Sequence, residues 1–283
     1  MRINTLIFEG GGIKGLCYVG ALKEMEENNM IDLKRHIKYV GGTSAGSIVA
    51  ALIASNHSTS EMRDILFNTK WEKFKDGFFT FNVIRLIKKF GFYKGEYLEK
   101  FVESALYKKL NIKNITFKEL FQMTNKHLKI IGTNLSSSQI IYMDHILTPD
   151  MPVAKGVQIS SCIPVVFKPV KYKNNLFIDG GLLKNLDTRL FSSEPNSNGI
   201  AFDLMDDVIQ PDKKLSEYLL SIIQMLVAHV NKKEEIPNIA CINIDVSFVK
   251  PLKFKLEECE KKLLIIQGAQ AVQNYILEKY VYN

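Results

Sequence analysis

Three glycine-flanked segments carry residues able to do chemistry: Gly42-Thr43-Ser44-Ala45-Gly46, Gly10-Gly11-Gly12-Ile13-Lys14-Gly15 and Asp179-Gly180-Gly181. The first is a G-x-S-x-G pattern. Such a turn can hold a serine hydroxyl exposed, while Gly42 and Gly46 let the neighbouring backbone pass without a Cβ clash. In a chain of this length the pattern arises by chance in roughly one sequence in ten, so its context has to carry the reading. The second segment presents successive backbone amides from Gly10, Gly11, Gly12, Lys14 and Gly15, which form a concavity for an anion. That anion can be a phosphate or the oxyanion of a tetrahedral acyl intermediate. The third places a carboxylate, Asp179, on a tight turn made by Gly180 and Gly181.

A P-loop needs Gly-Lys-Ser/Thr after its glycines, and none follows Lys14. Gly10, Gly12 and Gly15 satisfy G-x-G-x-x-G, but Val40-Gly41 stands where a dinucleotide fold needs an acidic residue. An oxyanion hole beside a nucleophile is the better fit. A carboxylate is a weak base for a serine hydroxyl, so a serine–aspartate dyad needs that hole and tight positioning. Burial would raise the pKa of Asp179 and make it a better base.

Each motif must be positioned by an element. Leu6-Ile7-Phe8 reads as a short buried strand, and Leu16, Val19, Leu22 and Met25 then follow at helical spacing to a stop at Asn28-Asn29. Ile37 to Val40 reads as a second strand, followed by a helix from Ala45 to Ala54. This βαβα opening predicts a mainly parallel central sheet in a three-layer α/β/α fold. Ser58/Glu61 and Thr116/Glu119 have capping-box spacing. Leu128 to Gly132, Ile140 to Met143, Leu176 to Ile178, Ile200 to Phe202 and Ile239 to Val246 read as strands. Helices are expected from Asp150 to about Pro164, from Leu215 to Val230 and from Leu256 to Tyr280. With strands of βαβ units ending at one crevice, the donors, Ser44 and Asp179 would converge there. The chain shows no repeat or linker, and a single domain over 1–283 is expected, with its motifs in 6–190 and residues 199–283 completing the fold.

The order GGGIKG, GTSAG, DGG resembles the patatin-like phospholipase family. Ile159 to Pro164 with Phe167-Lys168-Pro169 resembles the family's Ile-Pro block, and Leu128 to Leu135 its central strand. The resemblance runs from about Leu6 to Leu190. It implies Ser44 as nucleophile, Asp179 as base and Gly10 to Gly15 as the oxyanion loop, in a hydrolase cleaving carboxylic esters of membrane glycerolipids through an acyl-enzyme. Family members carry Asn-x-Pro after the DG turn; here Asn185-Leu186-Asp187 lacks the proline, which would loosen the loop positioning Asp179. A general serine esterase or acyltransferase would use the same turn, and a phosphate- or nucleotide-binding module would use GGGIKG with Ser44 incidental.

Of His36, His57, His127, His145 and His229, none sits in a glycine-marked turn, and His229 alone follows Asp179. No metal or other cofactor is expected. Cys17, Cys162, Cys241 and Cys259 show no CxxC or metal-ligand spacing and read as reduced thiols, with Cys17 and Cys162 in apolar surroundings. The net charge of +7 and pI near 9.0 favour anionic partners. Trp71 to Lys94 interleaves Trp71, Phe74, Phe78, Phe79, Phe81, Phe90, Phe92 and Tyr93 with lysines and Arg85. With Ile84 and Ile87 it suggests an amphipathic helix ending at Gly91: a flap at an anionic membrane surface, or equally a core helix with solvated lysines. No nucleic-acid-binding signature accompanies it. A hydrophobic content of 46% and mean hydropathy of −0.02 suit a globule with a core. No signal peptide or membrane-spanning stretch is read, so a cytoplasmic protein with transient membrane contact is expected. The residues leave its oligomeric state open.

Overall fold

The computed structural model describes residues 2–77, 88–194, 196–206, 236–250 and 253–281, with a few helical positions between 218 and 227. Strands β1 (Thr5–Phe8), β2 (Tyr39–Thr43), β4 (His127–Asn134), β9 (Gly199–Met205) and β10 (Ile239–Asp245) run parallel in the order β10-β9-β1-β2-β4. The sheet therefore winds both ways from β1. The carboxyl ends beside β1 form the crevice where such sheets bind ligands.

Alternation along these strands sorts side chains to two buried faces, which explains their near-continuous apolar runs. Leu6, Phe8, Val40, Ile130, Ile200 and Phe202 meet a helical layer. It includes α1 (Cys17–Glu27), α2 (Ala45–Ala54) and the C-terminal helix Glu258–Val281, which packs along α1. Ile7, Tyr39, Ile131 and Ala201 point the other way, where Leu190 and Phe191 cover them. The sequence reading of a mainly parallel sheet flanked by helices holds. Both capping boxes form: Ser58 Oγ accepts the Glu61 amide at 3.2 Å while Glu61 Oε2 accepts the Ser58 amide at 2.7 Å, and Thr116 and Glu119 do the same.

The reason for convergence at the third motif is corrected. β8 (Asn175–Asp179) is antiparallel to β4, so Asp179 reaches the site from the opposite direction to Ser44. Ile130 and Ile131 of β4 pair with β2 on one edge and with β5 (Gln139–Met143) on the other. Gly132 pairs with β5 and with Asp179. β2 and β8 therefore lie end to end along the same edge of β4, with Thr43 opposite Ile131 and Asp179 opposite Gly132.

Four further elements differ from expectation. The helix expected from Asp150 is Val153–Ser160, with Pro152 at its N-cap. Gly91–Tyr93 (β3) and Val165–Phe167 (β6) are short strands that pair with each other, which no apolar periodicity announced. β7 (Val170–Tyr172) joins β8 as an antiparallel edge. The helix expected over Leu215 to Val230, with His229, lies largely outside the described residues, as does most of the one expected to end at Gly91.

Candidate active site

Ser44 lies between the last residue of β2 and the first of α2. Its backbone is in the left-handed region, φ +49°, a conformation that costs a β-carbon residue about 1–3 kcal/mol. The strain is over-determined by what surrounds it. The Ser44 amide donates to Ser160 Oγ at 2.8 Å, and the Ser44 carbonyl accepts from the Ser47 amide at 2.9 Å and Ser47 Oγ at 2.6 Å. Gly46 permits the turn: a Cβ there would sit 2.3 Å from the Phe8 carbonyl oxygen of β1. Gly46→Ala is therefore expected to destabilise the protein by about 1–3 kcal/mol, seen as a lowered denaturation midpoint. An unchanged midpoint would mean that β1 and α2 have room to part.

Asp179 ends β8 and is buried. Its amide donates to the Cys162 carbonyl at 2.9 Å, and its Oδ1 accepts the Gly181 amide at 2.7 Å. Burial pushes its pKa up to about 7, against the downward pull of the Gly181 amide and the Ser44 hydroxyl. The second oxygen, Oδ2, is buried without a hydrogen bond of ordinary geometry among the described residues. The Ser44 hydroxyl thus acts on the carboxyl as a hydrogen-bond donor in loose geometry. Such contacts are often loose in a ligand-free site.

The glycine loop follows β1 directly. A Cβ on Gly10 would fall 2.9 Å from the Ser44 Cβ, and Gly15 packs against Ala45. Among the described residues the Gly11 and Gly12 amides donate to no backbone carbonyl. Lys14 takes no place in the loop's mouth: its ammonium is buried and paired with Asp206 at 2.6 Å, beyond the end of β9. Ser44, Gly12, Ile13, Ala45 and Ile48 line an apolar pocket walled by Trp71, Phe74, Leu98, Ile163, Phe167 and Phe254. Trp71 and Phe74 stack at 5.1 Å. The front of the basic aromatic segment is thus a pocket wall, whereas Lys88, Lys89 and Phe90 are exposed.

Among the described residues no histidine lines this pocket. His57 is buried against Ser55, with Nδ1 at 2.8 Å from Ser55 Oγ, and His127 and His145 pack around Phe121. His36 is not in the pocket either, and His229 is outside the described residues. Cys17 and Cys162 are buried, and burial drives both thiols well above the ordinary range. Among the described residues no cluster of His, Cys, Asp and Glu has the makings of a metal site.

Sequence reasoning missed the function of two side chains. Ser160, in the Ile-Pro block, is the acceptor that holds the Ser44 amide. Asn185 reaches back to the glycine loop, donating to Glu9 Oε1 at 2.8 Å and the Gly10 carbonyl at 3.1 Å. Its appearance soon after the DG turn was the available signal. The absent proline does not leave the turn untethered: Asp187 accepts the Tyr142 hydroxyl at 2.9 Å.

The chain is similar to known proteins in sequence and in fold. Residues 6–192 match the family described as Patatin-like phospholipase. The chain is 28% identical to the uncharacterized protein YqhO of Bacillus subtilis over 98% of both chains. It is 29% identical to a probable lipid hydrolase, 463L, of Invertebrate iridescent virus 6, over 64% of this chain and 61% of that one. Among solved structures, VipD from Legionella pneumophila superposes with a TM-score of 0.62 at 15% identity, covering 97% of this chain and 66% of VipD. The type III effector ExoU gives 0.57 at 15% identity, with 98% of this chain and 53% of ExoU covered. The chain thus spans nearly all of YqhO and about half of ExoU. At that identity the two structures speak for the fold alone, and the match over 6–192 speaks for descent: the chain belongs to the patatin-like phospholipase family.

Proposed function

We propose that this protein is a lipid acyl hydrolase of the phospholipase A or lysophospholipase type, working through a Ser44–Asp179 dyad. The observation that carries this reading is the end-to-end meeting of β2 and β8 on β4. It sets a strained, buried serine turn beside a buried carboxyl of raised pKa, next to an apolar pocket and to Gly11 and Gly12 amides that donate to no backbone carbonyl among the described residues.

In this mechanism Asp179, in its ionised form, takes the proton of Ser44 as Oγ attacks the ester carbonyl. The Gly11 and Gly12 amides and the start of α2 stabilise the oxyanion. Collapse breaks the bond to the alcohol, which leaves with the proton from Asp179 and gives an acyl-enzyme. Water, deprotonated by Asp179, then attacks the acyl carbonyl. Ser44 recovers the proton as the fatty acid departs. The apolar wall of Trp71, Phe74, Phe167 and Phe254 suits an alkyl chain. Lys14, tied to Asp206, is not presented to a phosphate, which weighs against a nucleotide-binding role for the loop.

Product analysis on a mixed phospholipid panel tests the reading: wild type is expected to release fatty acid and lysolipid, and a panel left intact would sink it. No described helix is long and apolar enough to cross a membrane. Surface contact is assigned to the exposed end of the basic aromatic segment. Replacing Lys88 and Lys89 by Glu and Phe90 by Ser is expected to weaken binding to anionic vesicles about tenfold or more. Hydrolysis of a soluble short-chain ester should change little. Equal losses in both assays would point to a folding role for the segment.

A further inference from the structure

The turn after Asp179 and the loop after β1 come from distant parts of the chain, yet one side chain is wedged between them. A Cβ on Gly10 would fall 2.4 Å from Asn185 Oδ1, and one on Gly181 2.7 Å from the same atom. The amide therefore occupies the gap between the oxyanion loop and the base turn, and both neighbours must lack a side chain to admit it. Its nitrogen bonds the Gly10 carbonyl and Glu9 Oε1.

Glu9 is itself fixed from three directions. Its Oε2 accepts the Leu204 amide of β9 at 2.6 Å, its own amide donates to the Phe202 carbonyl at 3.1 Å, and its carbonyl accepts the Tyr18 hydroxyl at 2.7 Å. Desolvation and the neighbouring Asp203 raise its pKa to about 8. Glu9 is thus an uncharged anchor in the sheet, and Asn185 is the arm that reaches from it across the site.

We propose that Asn185, anchored by Glu9, is a positioning residue that sets the spacing between the Gly10–Gly12 amides and the Asp179 turn. This rests on the hydrolase reading above. The pair acts through the two segments it joins. Its loss shows in the chemical step, where donors and base must be placed together, and leaves the apolar pocket able to bind.

The test compares wild type with Asn185→Leu, Asn185→Gln, Glu9→Leu and Glu9→Gln. The readouts are kcat and KM on a soluble short-chain ester, the rate of labelling by an alkyl fluorophosphonate, and the melting temperature. Asn185→Leu and Glu9→Leu are expected to lower kcat about 100-fold, as an ångström of misplacement does, with KM within about threefold and labelling slowed in parallel. Glu9→Gln mimics the protonated carboxyl and is expected to stay within about fivefold of wild type. Should Asn185→Leu fail to fold, Asn185→Gln carries the test: it keeps the amide, lengthens the arm by one methylene, and is expected to lose about tenfold in kcat.

The proposal is overturned if the folded Asn185 variants turn over and label as fast as wild type. It is equally overturned if their losses lie in KM alone, or if Glu9→Gln is as damaging as Glu9→Leu. A wild type that neither hydrolyses nor labels would instead overturn the hydrolase reading, and this assignment with it.

Discussion

Ser44→Ala is expected to abolish labelling by a fluorophosphonate and to reduce ester hydrolysis by about 10⁴-fold or more. The size follows from the role: without Oγ there is no acyl-enzyme, and the glycine amides can stabilise only a slow attack by water. The fold is expected to survive. Ser44 stands at the N-cap position of α2 but its side chain makes no capping hydrogen bond. Its backbone contacts, to Ser160 and Ser47, remain in the alanine variant. Alanine pays the same cost at φ +49° as serine does. Stability should therefore change by less than about 1 kcal/mol. Mass-spectrometric counting of the bound phosphonate, alongside hydrolysis rates and melting curves, decides the matter. A folded Ser44→Ala protein with undiminished esterase activity would remove Ser44 from the mechanism.

Asp179→Asn should be nearly inactive, by about 10³-fold or more, and at the same time more stable than wild type in alkaline solution. Both effects come from one buried carboxyl. As a base it must be ionised, and its pKa lies near 7. For wild type, kcat/KM is expected to climb as pH rises through 7 and to level off above it. Stability runs the other way. The folded-state pKa is above the ordinary carboxylate value of 3.8, so the folded protein holds the proton more tightly than the unfolded chain. The stabilising contribution of the protonated group is full below about pH 4, declines as pH rises, and is lost once pH passes about 7. At pH 8 wild type bears the whole cost of an ionised carboxyl out of water, as much as about 4 kcal/mol. The asparagine variant bears none of it and keeps an oxygen for the Gly181 amide. Denaturant unfolding at pH 5 and pH 8 should show the advantage of Asp179→Asn widening with pH. A narrowing advantage, or an active Asp179→Asn enzyme, would show that Asp179 is not the buried base.

The site was legible in the sequence where its parts are local. A strand running into Gly-x-Ser-x-Gly and then a helix is a contiguous signal, because the same few residues set the turn, the φ of Ser44 and the start of α2. The capping boxes at Ser58 and Thr116 are legible for the same reason: both partners lie within one turn. Asp179 was placed correctly at a strand end but by the wrong geometry, since the direction of a strand is set by its partner and not by its own residues. For Trp71 and Phe74 a surface flap and a core element stayed equally open, because composition records aromatic and basic residues without recording which way they face.

What the sequence by itself determined, then, is Ser44: its turn type, its flanking glycines and its position at the head of a helix are consequences of neighbouring residues. What the tertiary structure decided is what surrounds that hydroxyl. Asp179 comes to the end of the serine turn's strand because β2 and β8 share one edge of β4, a pairing between residues more than a hundred positions apart. Its raised pKa exists only once the fold has removed water from around it. Asn185 could become a spacer only when Gly10 and Gly181 had been brought to either side of it. Local chemistry is written in neighbouring residues, whereas direction, desolvation and spacing arise from contacts that the folded chain alone creates.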